Sequence, residues 1–258
     1  NSIFIHLTLV PYIAAAKELK TKPTQRSVKE LRSIGIQPDI LLCRTDRFLP
    51  AEIKDKIALF TNVDSEAVIT AKDVDCIYDV PLVFHEEGLD AIICESLGLE
   101  CDIPDLAEWL QVVRTYKKPS GRVRIAVVGK YVEFQESYKS LAEALVHGGL
   151  ANDLGVDIEW VEAERFEQDE DPAEVLADVG GVLVPGGFGE RGVRGMMEAI
   201  RYARAGDVPY FGICLGFQTA AMEFAENVAM LGDSADSSEF DFKDAGADKV
   251  IYKLRDLL

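Results

Sequence analysis

The spacing of apolar positions along the chain switches repeatedly between the alternation of a strand and the wider stripe of an amphipathic helix, and each switch marks a new element. Residues 4–10 are a β-rich run, 25–34 predict a helix with Thr24 as its N-cap and Gly35 as its stop, and 39–43 form a short apolar strand. A helix over 51–60, a strand over 67–70 and two shorter helices within 81–97 follow, and 105–116 reads as an amphipathic helix. Next comes Lys117-Lys118-Pro119-Ser120-Gly121, the clearest linker in the chain. The pattern then restarts, with strands over 124–128, 157–161, 181–184 and 208–213 and helices over 137–150, 172–179, 193–205 and 216–229. Apolar strands alternating with helices of this length imply βαβ crossovers and mostly parallel sheets. The expectation is therefore two α/β domains, 1–118 and 119–258, with no internal repeat and no low-complexity tract.

Composition narrows the function classes. With 48% hydrophobic residues the chain can build sizeable cores, yet no apolar run reaches the ~18 residues of a membrane span. The opening Asn1-Ser2-Ile3-Phe4 has no initiator Met, basic region or cleavage site, so an internal piece of a longer protein is expected. A net charge of −18 disfavours nucleic-acid binding, which needs a basic footprint. That excess suits a high-salt cytoplasm, although ordinary cytosolic proteins are also acidic. The acidic run 159–178 reads as a solvated face or loop. Cys43, Cys76, Cys94, Cys101 and Cys214 are odd in number, with no CxxC pair. This argues against a disulfide framework or zinc site and for a reducing cytoplasm, with all but Cys214 as small buried apolar residues.

Cys214 stands apart. In Gly212-Ile213-Cys214-Leu215-Gly216-Phe217-Gln218 an apolar strand runs straight into a helix, with glycines two before and two after the cysteine. This is the layout of a nucleophile elbow, where side chains at the flanking positions would collide. The helix start favours negative charge on the thiol, and the N–H of Leu215 is placed to donate to an oxyanion. A second glycine loop, Val184-Pro185-Gly186-Gly187-Phe188-Gly189, follows the preceding strand. In a parallel sheet both loops fall on one edge, where Gly187 can supply a second backbone donor. Two ordinary βα turns around a buried cysteine would show either motif alone, but rarely both on successive strands.

A different chemistry is suggested by Lys20-Thr21-Lys22-Pro23-Thr24-Gln25. In an extended segment Lys20 and Lys22 point to one side, stiffened by Pro23, while the Thr21 and Thr24 hydroxyls and the following helix start offer donors to phosphate. The residues alone leave open a triphosphate cradle or a solvated basic turn.

The two motif sets together resemble the CTP synthase family. Pro185 through Gly192, as P-G-G-F-G-x-R-G, with G-I-C-L-G-x-Q at Cys214, resembles its class I glutamine amidotransferase half, and 6–79 resembles the end of its amidoligase half almost without a break. The resemblance implies a flavodoxin-like second domain in which Cys214 attacks the glutamine amide and Gly187, Leu215, Gly216, Phe217 and Gln218 hold the glutamine. Glu239, in Ser237-Ser238-Glu239-Phe240, joins them through the family's S-T-E-F, although the preceding stretch is about one residue long by comparison. It further implies that Lys20, Thr21, Lys22, Pro23, Thr24, Gln25 and Lys56 bind UTP or CTP, and that Arg44, Lys72, Asp73 and Val74 lie by the adenine of ATP. Arg26 stands where the family has His, Lys17 where it has Gly, and Phe217 where it has Met. The implied protein is an ATP-dependent, glutamine-hydrolysing ligase of pyrimidine biosynthesis, a cytoplasmic homotetramer using Mg2+ whose ligands are not in this chain. The 258 residues contain no phosphate loop, and His6, His85 and His147 all precede Cys214, whereas the family's H-x-E follows its cysteine. The chain alone is thus expected to be inactive. The rival readings are another class I glutamine amidotransferase and a catalytically dead nucleotide-binding or assembly module.

Overall fold

The structure is a computed structural model that describes residues 2–130, 132, 135–231, 236–237 and 249–252. The chain divides into two compact units, Asn1–Lys117 and Lys118–Leu258.

The first unit is built on β1 (Ile5–Leu9), a small antiparallel pair β2 (Tyr12–Ile13) and β3 (Glu18–Leu19), α1 (Lys22–Ser33), β4 (Ile40–Thr45), α2 (Ala51–Thr61), β5 (Val68–Lys72), α3 (Val80–Glu86), α4 (Leu89–Leu97) and α5 (Ala107–Lys117). β1, β4 and β5 form a parallel sheet in that order, with Leu7 opposite Leu42 and Leu42 opposite Ile69. Its core gathers Val10, Val28, Ile40, Leu41, Ile57, Val68 and Ile69, so the inward residues of α1 and α2 are the ones the strands need. Removing such side chains from water stabilises by roughly 1.5–3 kcal/mol each. Lys54 Nζ pairs with Glu87 at 2.6 Å, and the same carboxylate oxygen accepts from the Thr70 N–H at 2.6 Å, which ties α2 to β5.

Three expectations are corrected in this unit. α1 begins at Lys22 with Thr21 as its N-cap, not at Gln25, so 20–25 is not an extended segment. Proline is accepted in a first helical turn because the N–H it lacks would have no intrahelical partner there. Cys94 and Cys101 form a disulfide across a Cα–Cα distance of 6.4 Å. Gly98 caps α4 with φ +68° and turns the chain back, which carries Cys101 alongside the helix end. Only Cys43 and Cys76 are buried as free thiols.

The second unit runs β6 (Gly121–Gly129), α6 (Lys139–Ala151), β7 (Leu154–Glu162), α7 (Pro172–Val175), β8 (Gly181–Val184), α8 (Val193–Ala205), β9 (Tyr210–Gly212), α9 (Leu215–Asn227), then a short parallel pair β10 (Asp236–Ser237) and β11 (Lys249–Ile251). The main sheet is fully parallel in the order β7-β6-β8-β9. That is the doubly wound arrangement of flavodoxin-like folds, whose sites lie beyond the carboxyl ends of the strands. Every residue of β8 is buried, as a central strand covered on both faces requires. α8 supplies Val193, Met196, Met197, Ala199, Ile200 and Ala203 to the core, and α9 supplies Leu215, Met222 and Ala225. The helix expected over 172–179 stops at Val175. Within the acidic run, Val161, Ala163, Phe166 and Leu176 are core residues, so the run is not simply a solvated face.

Candidate active site

Val184, the last residue of β8, lies opposite Gly212, the last of β9, so the loops that follow them emerge side by side at one sheet edge. Cys214 is the N-cap of α9 with φ +52° and ψ −103°. A positive φ is strained for a residue with a Cβ and persists only where the surroundings enforce it. They do so here. A Cβ at Gly216 would stand 2.1 Å from the Val184 carbonyl oxygen, and one at Gly212 would stand 2.5 Å from the Gly216 carbonyl carbon. Helix, strand and turn are therefore in direct backbone contact, with only glycine fitting at the flanking positions. The register is closed by Ile213 N–H to the Val184 carbonyl at 2.9 Å and Gln218 N–H to the Cys214 carbonyl at 3.1 Å. Tyr210 adds a hydroxyl bond to the Gly216 carbonyl at 2.7 Å, and its burial pushes the phenol well above its ordinary range.

Cys214 itself is exposed. The loop after β8 passes close to it, with the Cβ position of Gly186 only 3.6 Å from the Cys214 Cβ and that of Gly187 3.1 Å from Leu215 Cδ2. Leu215 and Gly216 are buried beneath the turn, Phe217 is exposed, and the Gln218 side-chain oxygen is buried without a hydrogen-bond partner. The N–H of Leu215, in the first turn of α9, has no intrahelical acceptor. An exposed thiol set between a glycine loop and the first turn of a helix is an arrangement that can attack a carbonyl and stabilise the resulting oxyanion. Glu239 lies outside the described residues; its neighbour Ser237 is buried in β10.

In the first unit the expected residues fall into two groups. A cavity of about 1090 Å³ opens along α1 against Lys22, Pro23, Gln25, Arg26, Lys29 and Phe60. Lys20 pairs with Glu18, whose carboxyl is held below its usual range mainly by that hydrogen bond, with the Lys56 charge contributing. Lys20 and Lys56 thus act on one spot. Thr21 accepts from Gln25 Nε2 at 3.1 Å, and Thr24, fully buried, bonds Thr8 and the Leu9 carbonyl at 3.1 Å each. The second group, Arg44, Lys72, Asp73 and Val74, lines a cavity of about 420 Å³ with Leu7, Ile77 and Phe84. Arg44 Nε holds Asp73 at 2.9 Å there. Among the described residues no group of three or more His, Cys, Asp or Glu is arranged to hold a metal ion, and no helix is long and apolar enough to cross a membrane.

Known proteins resemble this chain along its whole length. The family described as CTP synthase N-terminus matches residues 1–99, and glutamine amidotransferase class-I matches 133–255. The CTP synthase of Koribacter versatilis is 62% identical over 258 residues, all of this chain and 46% of the relative. That of Acidobacterium capsulatum is 60% identical over 257 residues, again all of this chain and 46% of the relative. The chain belongs to the CTP synthase family. It spans about half the length of these curated relatives. The solved glutaminase domain of Trypanosoma brucei CTPS with bound acivicin is 39% identical over 48% of each chain, with a TM-score of 0.43, too low to compare geometry. The two matched families thus lie in succession along one chain.

Sequence reasoning passed over one residue that this site includes. Lys130 follows β6 directly and is 3% exposed. Its ammonium bonds the carbonyls of Phe188 and Gly189 in the glycine loop. A single lysine after a strand carries no periodic signal, and its partners lie 58 and 59 residues away.

Proposed function

We propose that the chain is part of an enzyme that converts UTP to CTP with ammonia released from glutamine, and that residues 1–118 and 119–258 serve its amidoligase and glutaminase halves. The observation that carries this reading is the pairing in one chain of the Cys214 elbow with an upstream unit of CTP synthase N-terminal type. In this reading Cys214 attacks the glutamine amide carbon, and the tetrahedral oxyanion is received by the N–H groups of Leu215 and Gly187. Collapse forms a thioester and releases ammonia, and water then frees glutamate. Gln218 and Glu239 orient the amino-acid end of the substrate. The buried, unpartnered Gln218 oxygen supports this, since a glutamine ammonium would satisfy it.

At the other half, Lys20, Lys22 and Lys56 neutralise the triphosphate of UTP, or of CTP as product inhibitor, and the Gln25 amide donates to it, at the N-terminus of α1. Thr24 positions that turn from beneath through its bonds to β1. The cavity of Arg44, Lys72, Asp73 and Val74 fits an adenine, with apolar walls for the ring faces and a cation at the rim. When bound, ATP supplies the phosphoryl group that makes the uracil 4-oxygen a leaving group. No described residue of this chain is assigned to Mg2+.

Replacement of Cys214 by Ala in the full-length protein tests the reading. CTP formation and glutamate release with glutamine should fall to background, while CTP formation with ammonium chloride persists. Glutamate release at the unsubstituted rate would overturn it.

A further inference from the structure

Loop 185–192 carries glycine at 186, 187, 189 and 192 and exposes Phe188 by 83%, so its own sequence does little to fix its shape. Gly189 and Gly192 both take positive φ, at 76° and 73°. A segment so free in the unfolded chain loses much conformational entropy on ordering, and something outside it must hold it. Lys130 is the residue in position to do so. Its ammonium donates to the Phe188 carbonyl at 3.0 Å and to the Gly189 carbonyl. Its methylene stem passes 3.7 Å from the Cβ positions of Gly187 and Gly192. Its own carbonyl accepts from Arg191 Nη2 at 2.8 Å, and Arg191 Nη1 pairs with Glu164 at 2.7 Å. The loop is therefore tied to one lysine at its middle and again near its end.

Burying an ammonium is costly unless its donors are satisfied. A structural lysine could be replaced by a packed apolar side chain at little loss; the charge here is spent on two consecutive peptide carbonyls. Because the peptide unit is planar, fixing the Phe188 and Gly189 carbonyls also fixes the N–H groups of Gly189 and Glu190, which pins the loop immediately after Gly187. We propose that Lys130 is a positioning residue for glutamine hydrolysis, holding the glycine loop so that the backbone of Gly187 faces the oxyanion formed at Cys214. The inference rests on the glutaminase reading given above.

The test uses the full-length protein with Lys130→Met, which keeps the stem and removes the charge, and Lys130→Gln, which keeps a neutral donor on a shorter stem. Loss of loop alignment should lower kcat for glutamine by about 10- to 100-fold in the Met variant, the range expected of misplaced groups and missing oxyanion donors. The Gln variant should fall between Met and wild type. CTP formation with ammonia, thermal midpoint and the rate of Cys214 alkylation by iodoacetamide should stay near wild type in both. Wild-type kcat for glutamine in Lys130→Met would overturn the proposal. So would a loss shared equally by the ammonia-driven reaction, since Lys130 would then support only the fold. If Lys130→Met does not fold, Lys130→Gln carries the test alone, and a wild-type kcat there overturns it. Absence of glutamine-dependent CTP formation in the unsubstituted protein would instead sink the function on which the inference rests.

Discussion

At the scale of single residues, the three free thiols should separate by chemistry. Cys43 is fully buried in the first core, and its desolvation pushes the thiol up to about 11 despite a weak bond from Thr8. The thiolate is the nucleophile, so Cys43 is held in its unreactive form until the pH approaches that value. Cys76 is buried as well, whereas Cys214 is exposed at the start of a helix. Brief iodoacetamide treatment of the native protein at neutral pH, followed by peptide mapping, should label Cys214 at least ~10-fold faster than Cys43 or Cys76. Equal labelling of Cys43 and Cys214 would refute the elbow geometry. Cys214 was legible in the sequence because glycines at fixed offsets report backbone collisions that happen locally. Lys130 was not, since nothing near position 130 records which carbonyls it will meet. The Cys94–Cys101 bridge escaped for a related reason: it depends on how Gly98 redirects the chain after α4, and an odd cysteine count does not exclude one pair.

At the scale of elements, glycine has opposite meanings in two helices. Gly216 opens α9 in contact with β8, where a Cβ would meet the Val184 carbonyl oxygen at 2.1 Å. Gly148 lies inside α6, where a Cβ would meet nothing within 4 Å. Gly148→Ala should therefore stabilise by roughly 0.5–1 kcal/mol, because only the backbone freedom of the unfolded chain changes. Gly216→Ala should destabilise by about 1–3 kcal/mol or more, since α9 must move off the strand. Urea denaturation of the two variants measures both, and a Gly216→Ala protein as stable as the parent would contradict the close contact. The alternation of strands and helices was readable because burial on two faces leaves unmistakable apolar runs such as 181–184. The order β7-β6-β8-β9 was not, because periodicity says which residues face inward and nothing about which strand lies beside which. The start of α1 was misjudged because Pro23 stiffens an extended segment and a first helical turn equally well. Only the structure shows the turn already wound at Lys22.

At the scale of the whole molecule, the surplus of 45 acidic over 27 basic residues leaves a net charge of −18 that no arrangement of ion pairs can cancel. Cations are matched locally, as in Arg122 with Asp157, Arg165 with Glu170 and Arg201 with Glu198. Such exposed pairs contribute only ~0–1 kcal/mol each. The remaining carboxylates repel one another across the surface, and compaction on folding brings them closer. Salt acts on both effects with opposite signs, weakening the favourable pairs and the unfavourable repulsion. The repulsion sums over many long separations and is screened once the Debye length falls from ~30 Å at 0.01 M to ~3 Å at 1 M, whereas pairs in contact are screened least. Raising potassium chloride over that range should therefore increase the thermal midpoint of the 258-residue chain, with most of the gain reached below about 1 M, where screening is nearly complete. Differential scanning fluorimetry across a chloride series, beside a sucrose control that favours compact states without screening charge, separates the electrostatic part. A midpoint that falls with salt would mean that the local pairs outweigh the surplus. One that rises linearly past 1 M would point to exclusion of solute from the surface instead of relief of repulsion.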